Sequence, residues 1–132
     1  MVSSNNGGKP EKAPEFNGDN NSLVEYESSL QRLGGDVDLF KEFVQIFFED
    51  SPKILEKLFA AVDADDHAEV AKTGHALKGL MLSFGAEPCC KLALEFETAG
   101  KNKQTESMII QKAPMRELYE LLCDELRLLI KD

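Results

Sequence analysis

The chain has 132 residues, with 24 acidic side chains against 15 basic ones and a net charge of −9. That length fits one domain with a tail, and a hydrophobic fraction of 42% is too high for a wholly disordered acidic chain. The charge disfavours nucleic acid and anionic membranes as partners, because both are held by clustered Lys and Arg. No apolar run approaches the roughly 18 residues of a membrane span. The opening Met1-Val2-Ser3-Ser4-Asn5-Asn6-Gly7-Gly8 lacks the basic and apolar segments of a secretory signal.

Residues 1–21 are Asn, Gly, Ser, Lys, Pro and Glu with hardly an apolar side chain, which predicts a flexible tail or linker. From Ser22 the pattern turns helical. Ser22 is the expected cap of a short helix to about Leu33, with Leu23, Tyr26 and Leu30 at helical spacing and Gly34-Gly35 as its stop. Asp36 is the next expected cap, for a helix to about Asp50. Ser51-Pro52 then reads as a stop and restart, with Pro in the first turn of the next helix. After the polar break 63–66, Asp66 and Glu69 have the outline of a capping box for a helix over 67–84. Gly85 ends it. A further helix runs over 87–99 with Gly100 at its end, and 101–105 is a loop. The stretch 106–131 is helical, with Pro114 kinking or dividing it. The fold class is therefore all-α. Residues 22–132 are expected to form an antiparallel four-helix bundle with a short additional N-terminal helix.

Cys89, Cys90 and Cys123 have no CxxC spacing and are odd in number, so reduced thiols in a cytoplasmic protein are expected. No metal site is expected, since His67 and His75 lie far from the cysteines along the chain. His67 stands beside Asp63, Asp65 and Asp66, but carboxylates at a helix start are explained by capping and the helix dipole.

On a helical wheel of the 67–84 segment, Val70, Thr73, Gly74, Leu77, Leu80, Met81 and Phe84 fall within about 120° and form the core stripe. His75 points the other way. Around it lie Ala68, Ala71, Lys72, Lys78, Gly79 and Leu82. For so acidic a chain this face is odd, because it carries one imidazole, two lysines and no carboxylate. A helix-interior glycine costs about 1 kcal/mol relative to Ala. Gly74 has a packing reason on the core side, whereas Gly79 has none there, so steric access to His75 is its expected benefit. An exposed imidazole is mostly neutral at pH 7 and nucleophilic. Lys72 and Lys78 are placed to offset the charge that phosphorylation would add.

His75-Ala76-Leu77-Lys78-Gly79 followed by Phe84-Gly85-Ala86 resembles the signature of histidine-containing phosphotransfer (HPt) domains. Upstream, Leu33-Gly34-Gly35-Asp36 and Leu39-Phe40-Lys41-Glu42-Phe43 look like that family's opening. The resemblance spans about residues 23–131. It implies that His75 accepts a phosphoryl group from a receiver-domain Asp and passes it to another receiver Asp. Lys78 would stabilise the phosphoryl group and Gly79 would give access. Where small polar residues are frequent in the family, Leu80-Met81 stands here, and altered packing is expected from it.

The Phe-rich helix 36–50 is apolar over about half its circumference, more than a bundle helix needs. Either the short N-terminal helix covers the excess, or Val44 and Phe48 form a docking patch beside the His75 face. Lys72, Ala71, Leu82, Ala68, Val44 and Phe48 are thus the candidate partner-binding residues. The expected function is a phosphocarrier in a multistep phosphorelay. The chain has no phosphate-binding Gly-rich loop and is no kinase by itself. It needs no cofactor of its own, since Mg²⁺ belongs to the receiver, and a monomer is expected. The competing reading is a helical docking module without phosphotransfer. A dimerising kinase module is a third, and it would need an ATP domain downstream.

Overall fold

A computed structural model describes residues 22–131 and, upstream of them, the backbone of 16–17 and 19–20. Those four upstream positions form a small antiparallel ladder, Phe16 opposite Asn20 and Asn17 opposite Asp19. Otherwise the expected tail, residues 1–21, lies outside the described residues.

The helix starts follow local capping chemistry. Helix α1 is Tyr26–Arg32 and α2 is Val37–Asp63. Between them Gly34 and Gly35 both take the left-handed backbone, at φ 69° and 77°, where a side chain would be strained. The Gly35 N–H closes the turn on the Leu30 carbonyl at 2.9 Å. Asp36 caps α2, its carboxylate accepting the Leu39 N–H at 3.0 Å. Asp66 does the same for α3, His67–Leu82, through the Glu69 N–H at 3.2 Å. Helix α4 is Glu87–Lys101, α5 is Thr105–Ile110 and α6 is Lys112–Leu129. The four long helices α2, α3, α4 and α6 make the bundle. Helices α3 and α4 form its most extensive pair, and α2 packs on α3.

Several expected boundaries are corrected. Ser22 does not cap α1. Its hydroxyl binds Glu125 of α6, which also accepts the Leu23 and Val24 N–H groups at 2.8 and 3.0 Å and so pins the chain entry to the bundle. Ser51-Pro52 does not stop α2, which runs through as one helix with Pro52 inside it. The buried Ser51 hydroxyl donates to the Phe47 carbonyl at 2.5 Å and has Tyr119 Oη at 2.8 Å as its second partner. Having only one proton, Ser51 must accept from Tyr119. Burial pushes the Tyr119 hydroxyl up to about 12, so it remains a donor at neutral pH. Pro114 divides the last stretch instead of bending it. It is the third residue of α6 and offers no N–H to the Ile110 carbonyl, so α5 ends there.

The Phe excess of α2 is core. Phe40, Phe47 and Phe84 are fully buried. Tyr26 of α1 meets Phe40 edge-on at 5.0 Å, and Phe84 meets Phe40 and Phe47 at 5.9 and 5.4 Å. Edge-to-face pairs add about 0.5–1.5 kcal/mol each beyond their area. Val44 is fully buried, which removes it from any docking patch. Phe48 is half-buried against α6, with the Arg127 guanidinium 5.5 Å from its ring. The cysteines are free thiols, and burial pushes Cys89 up to about 12, which makes it inert.

Gly100 does not end α4 but lies within it. A Cβ at this position would sit 2.7 Å from both the Ala71 nitrogen and the His67 carbonyl oxygen, which are backbone and cannot step aside. Gly100→Ala is therefore expected to push α4 off α3 and lower unfolding stability by about 1–3 kcal/mol. Urea denaturation would measure this as a lower midpoint at unchanged slope.

Candidate functional site

The α3–α4 pair carries the site. Gly74 faces α4, where a Cβ would meet the Glu97 nitrogen at 3.0 Å and the Ala93 carbonyl at 3.2 Å. With Gly74 and Gly100 both bare, the two backbones run close together. That brings Glu97 of α4 beside His75 and Lys78 of α3.

His75 is the exposed member, its side chain 68% accessible, while Glu97 is only 8% accessible and Lys78 24%. Glu97 Oε1 accepts from Lys78 Nζ at 3.0 Å. Its Oε2 lies 3.2 Å from His75 Nδ1 and 3.2 Å from Lys101 Nζ, one turn further along α4. The Lys78 ammonium, with Lys101 and the His75 ring, holds the Glu97 carboxyl down to about 2 in spite of its burial. An ionised carboxylate only accepts hydrogen bonds. The neutral ring facing it must therefore carry its proton on Nδ1, and its lone pair sits on Nε2, the nitrogen turned away from Glu97. The site is an exposed imidazole with a fixed tautomer and two ammonium groups within one turn.

Other expected residues fall as follows. Gly79 is exposed, and a Cβ there would meet nothing within 4 Å, so it leaves open space beside His75. Lys72 and Ala68 are exposed on the same side of α3. Ala71 is half-buried and its backbone abuts Gly100, so it takes part in the α3–α4 contact. Leu82 is exposed. Met81 is buried and Leu80 is half-buried against the core, as the wheel predicts. His67 has a structural role: Nε2 pairs with Thr105 Oγ1 at 2.9 Å, and Thr105 donates to Asp65 at 2.7 Å, tying the start of α3 to α5. Among the described residues no group of His, Cys, Asp and Glu could hold a metal ion.

Sequence reasoning missed Glu97 and Lys101. The signal was there: Cys89, Ala93, Phe96 and Gly100 set a buried stripe on α4, and Glu97 lies on that stripe. An acid on a core stripe must find buried partners, and the basic face of α3 was the side short of an acid.

Compared with known families, the chain matches the model of the Hpt domain over residues 42–131. Comparisons with curated proteins and with solved structures gave no match.

Two stability outcomes follow from this geometry. Gly79→Ala is expected to stabilise the protein by up to about 1 kcal/mol, since the methyl meets open space and helix propensity improves. Thermal unfolding checks it. Glu97 has its carboxyl lowered on folding, from 4.5 to about 2. It therefore contributes stability in full above about pH 4.5 and loses it as pH falls toward 2. Glu97→Gln is expected to have a lower Tm than wild type at pH 7, with the gap closing between pH 4.5 and 2. A pH-independent gap would contradict the charge network.

Proposed function

The chain belongs to the Hpt domain family, and on that premise we propose that it is a phosphocarrier whose phosphoacceptor is His75. Membership of this family implies phosphotransfer within a phosphorelay and interaction with receiver domains, as a carrier and not as a classical enzyme. No helix among the described residues is long and apolar enough to cross a membrane. The observation that carries the choice of residue is the exposed His75 ring with its Nδ1 on a buried, ionised Glu97.

The chemistry follows from that ring. Nε2 attacks the phosphorus of a receiver aspartyl phosphate. The N–P bond forms as the P–O bond breaks, and the Asp leaves as a carboxylate in line with the attack. The ring becomes a cation that keeps its Nδ1–H on Glu97, which stabilises it more than it stabilises the neutral ring. Lys78 turns from Glu97 Oε1 to a phosphoryl oxygen, and Gly79 leaves room for the receiver's backbone. In the second step an Asp carboxylate of another receiver attacks the phosphorus and the N–P bond breaks. The imidazole departs neutral, with the Nδ1 proton it started with. No proton crosses to solvent in either direction. Carboxylates of the receiver would hold Mg²⁺, which would offset charge on the transferring group. One chain supplies His75, Lys78 and Glu97, so a monomer suffices. The free thiols agree with a reducing cytoplasm.

The test is transfer from a ³²P-labelled receiver domain in Mg²⁺. The wild type is expected to take up acid-labile label and His75→Gln none. Lys78→Ala is expected to slow uptake on the order of a hundredfold, the size of effect seen when one charge-stabilising donor is removed. Failure of a broad receiver panel to label the wild type would favour a docking module without phosphotransfer. Label surviving in His75→Gln would move the assignment to His67.

A further inference from the structure

Lys101 closes α4, one residue beyond Gly100. Because Gly100 lies inside the helix, Lys101 falls one turn on from Glu97 and reaches back to its Oε2 at 3.2 Å. An acid four residues ahead of a base is the favourable order of such a pair, and the last turn of a helix favours a cation. His75 and Lys78 reach Glu97 from α3, whereas Lys101 reaches it from the carboxylate's own helix. Its contact therefore does not depend on what a phosphoryl group does to the side chains of α3. Of the three partners, Lys101 is also the one with no task in the transfer described above.

Resting on the phosphocarrier reading, we propose that Lys101 is a positioning residue that acts through Glu97: it stays on the carboxylate while Lys78 leaves, and so frees Lys78 for the phosphoryl group. The need for it arises from burial. As the N–P bond forms at Nε2, the donor's bond to phosphorus breaks and the donor departs with the electron pair. Lys78 then moves from Glu97 Oε1 to a phosphoryl oxygen. At 8% accessibility the carboxylate recovers little of the lost hydrogen bond from water. With the ring as its one remaining partner, Glu97 would hold Lys78 back as a structural ion pair. With Lys101 in place the carboxylate keeps two partners on Oε2, the ammonium and the Nδ1–H of the ring. The Lys101 side chain is 65% accessible, so it serves this role at little desolvation cost of its own. The two lysines thus divide the work: one travels to the phosphoryl group and one stays.

The experiment labels the full chain with two ³²P donors, a phosphorylated receiver domain and phosphoramidate, a small donor that makes no docking contact. Lys101→Gln is expected to slow labelling of His75 about tenfold with either donor, and Lys101→Arg to restore most of the rate. In a Glu97→Gln background no buried charge needs a partner, and there Lys101→Gln is expected to change the rate by less than about twofold. Urea denaturation checks that each variant is folded, and Glu97→Met is the second background if the amide lowers the folded fraction. Equal losses from Lys101→Gln with and without the Glu97 carboxylate would overturn the proposal, because Lys101 would then touch the phosphoryl group itself or serve only the fold. A loss confined to the receiver donor would make Lys101 a docking contact, and faster labelling would make it a competitor of the ring for Oε2. Either overturns the proposal, as does an unchanged rate in Lys101→Gln when the wild type is labelled. A wild type that neither donor labels brings down the phosphocarrier reading and the role of Lys101 with it.

Discussion

The close approach of α3 and α4 is the constraint on which the site depends. It rests on two missing side chains. Gly74 lets the Glu97 backbone come within contact distance, and Gly100 does the same for the first turn of α3. Neither glycine touches His75. Their effect is to set how far a carboxylate on one helix reaches across to an imidazole on the next. A wider spacing of the axes would leave the ring in solvent with no fixed tautomer, and Lys78 without its anchor.

That closeness also explains how a chain of net charge −9 keeps a basic island. Burying one carboxylate at 8% accessibility is unfavourable unless it is paired. Glu97 is paired with three groups, two on α3 and one on its own helix. The arrangement holds both lysines near the ring at positions where free ammonium groups would repel one another. Before phosphorylation the cluster of Glu97, Lys78 and Lys101 carries one surplus positive charge. A phosphoryl group brings close to two negative charges, and the ring it joins turns positive. On the proposed phosphoacceptor role the surplus would then be nearly cancelled, and the phosphorylated site would not become an anionic patch on an acidic surface.

Most of the helices were legible because capping is local chemistry. Asp36, Asp66 and the Gly34-Gly35 pair act on their own few residues, and they stand where the sequence places them. The misreadings came where a distant residue decides. Ser51-Pro52 has the form of a helix start, yet Tyr119, on another helix, supplies the hydrogen bond that keeps the Ser51 hydroxyl inside a continuous α2. Gly100 has the form of a helix end, yet the backbone of α3 occupies the space beside it. Val44 and Phe48 were surplus to one helix's stripe, but α2 is covered from more than one side. In the site, His75, Lys78 and Gly79 share one helix and could be read together. Glu97 sits on another, at a separation only the fold closes.

The three glycines of α3 and α4 divide the work in a way their sequence does not announce. Gly74 and Gly100 are filled in by backbone, and there a methyl has nowhere to go. Gly79 faces open space, and a methyl would fit. By stability alone Gly79 is therefore the wrong residue, since alanine would favour the helix by about 1 kcal/mol. That weakness, one turn from an exposed imidazole, fits the access to His75 that the proposed phosphotransfer needs. The same holds for Leu82 on that side of α3, which forgoes burial that Met81 beside it obtains. Both residues are poor choices by the stability of an isolated bundle alone, and both fit the proposed exchange of a phosphoryl group with another protein at this face.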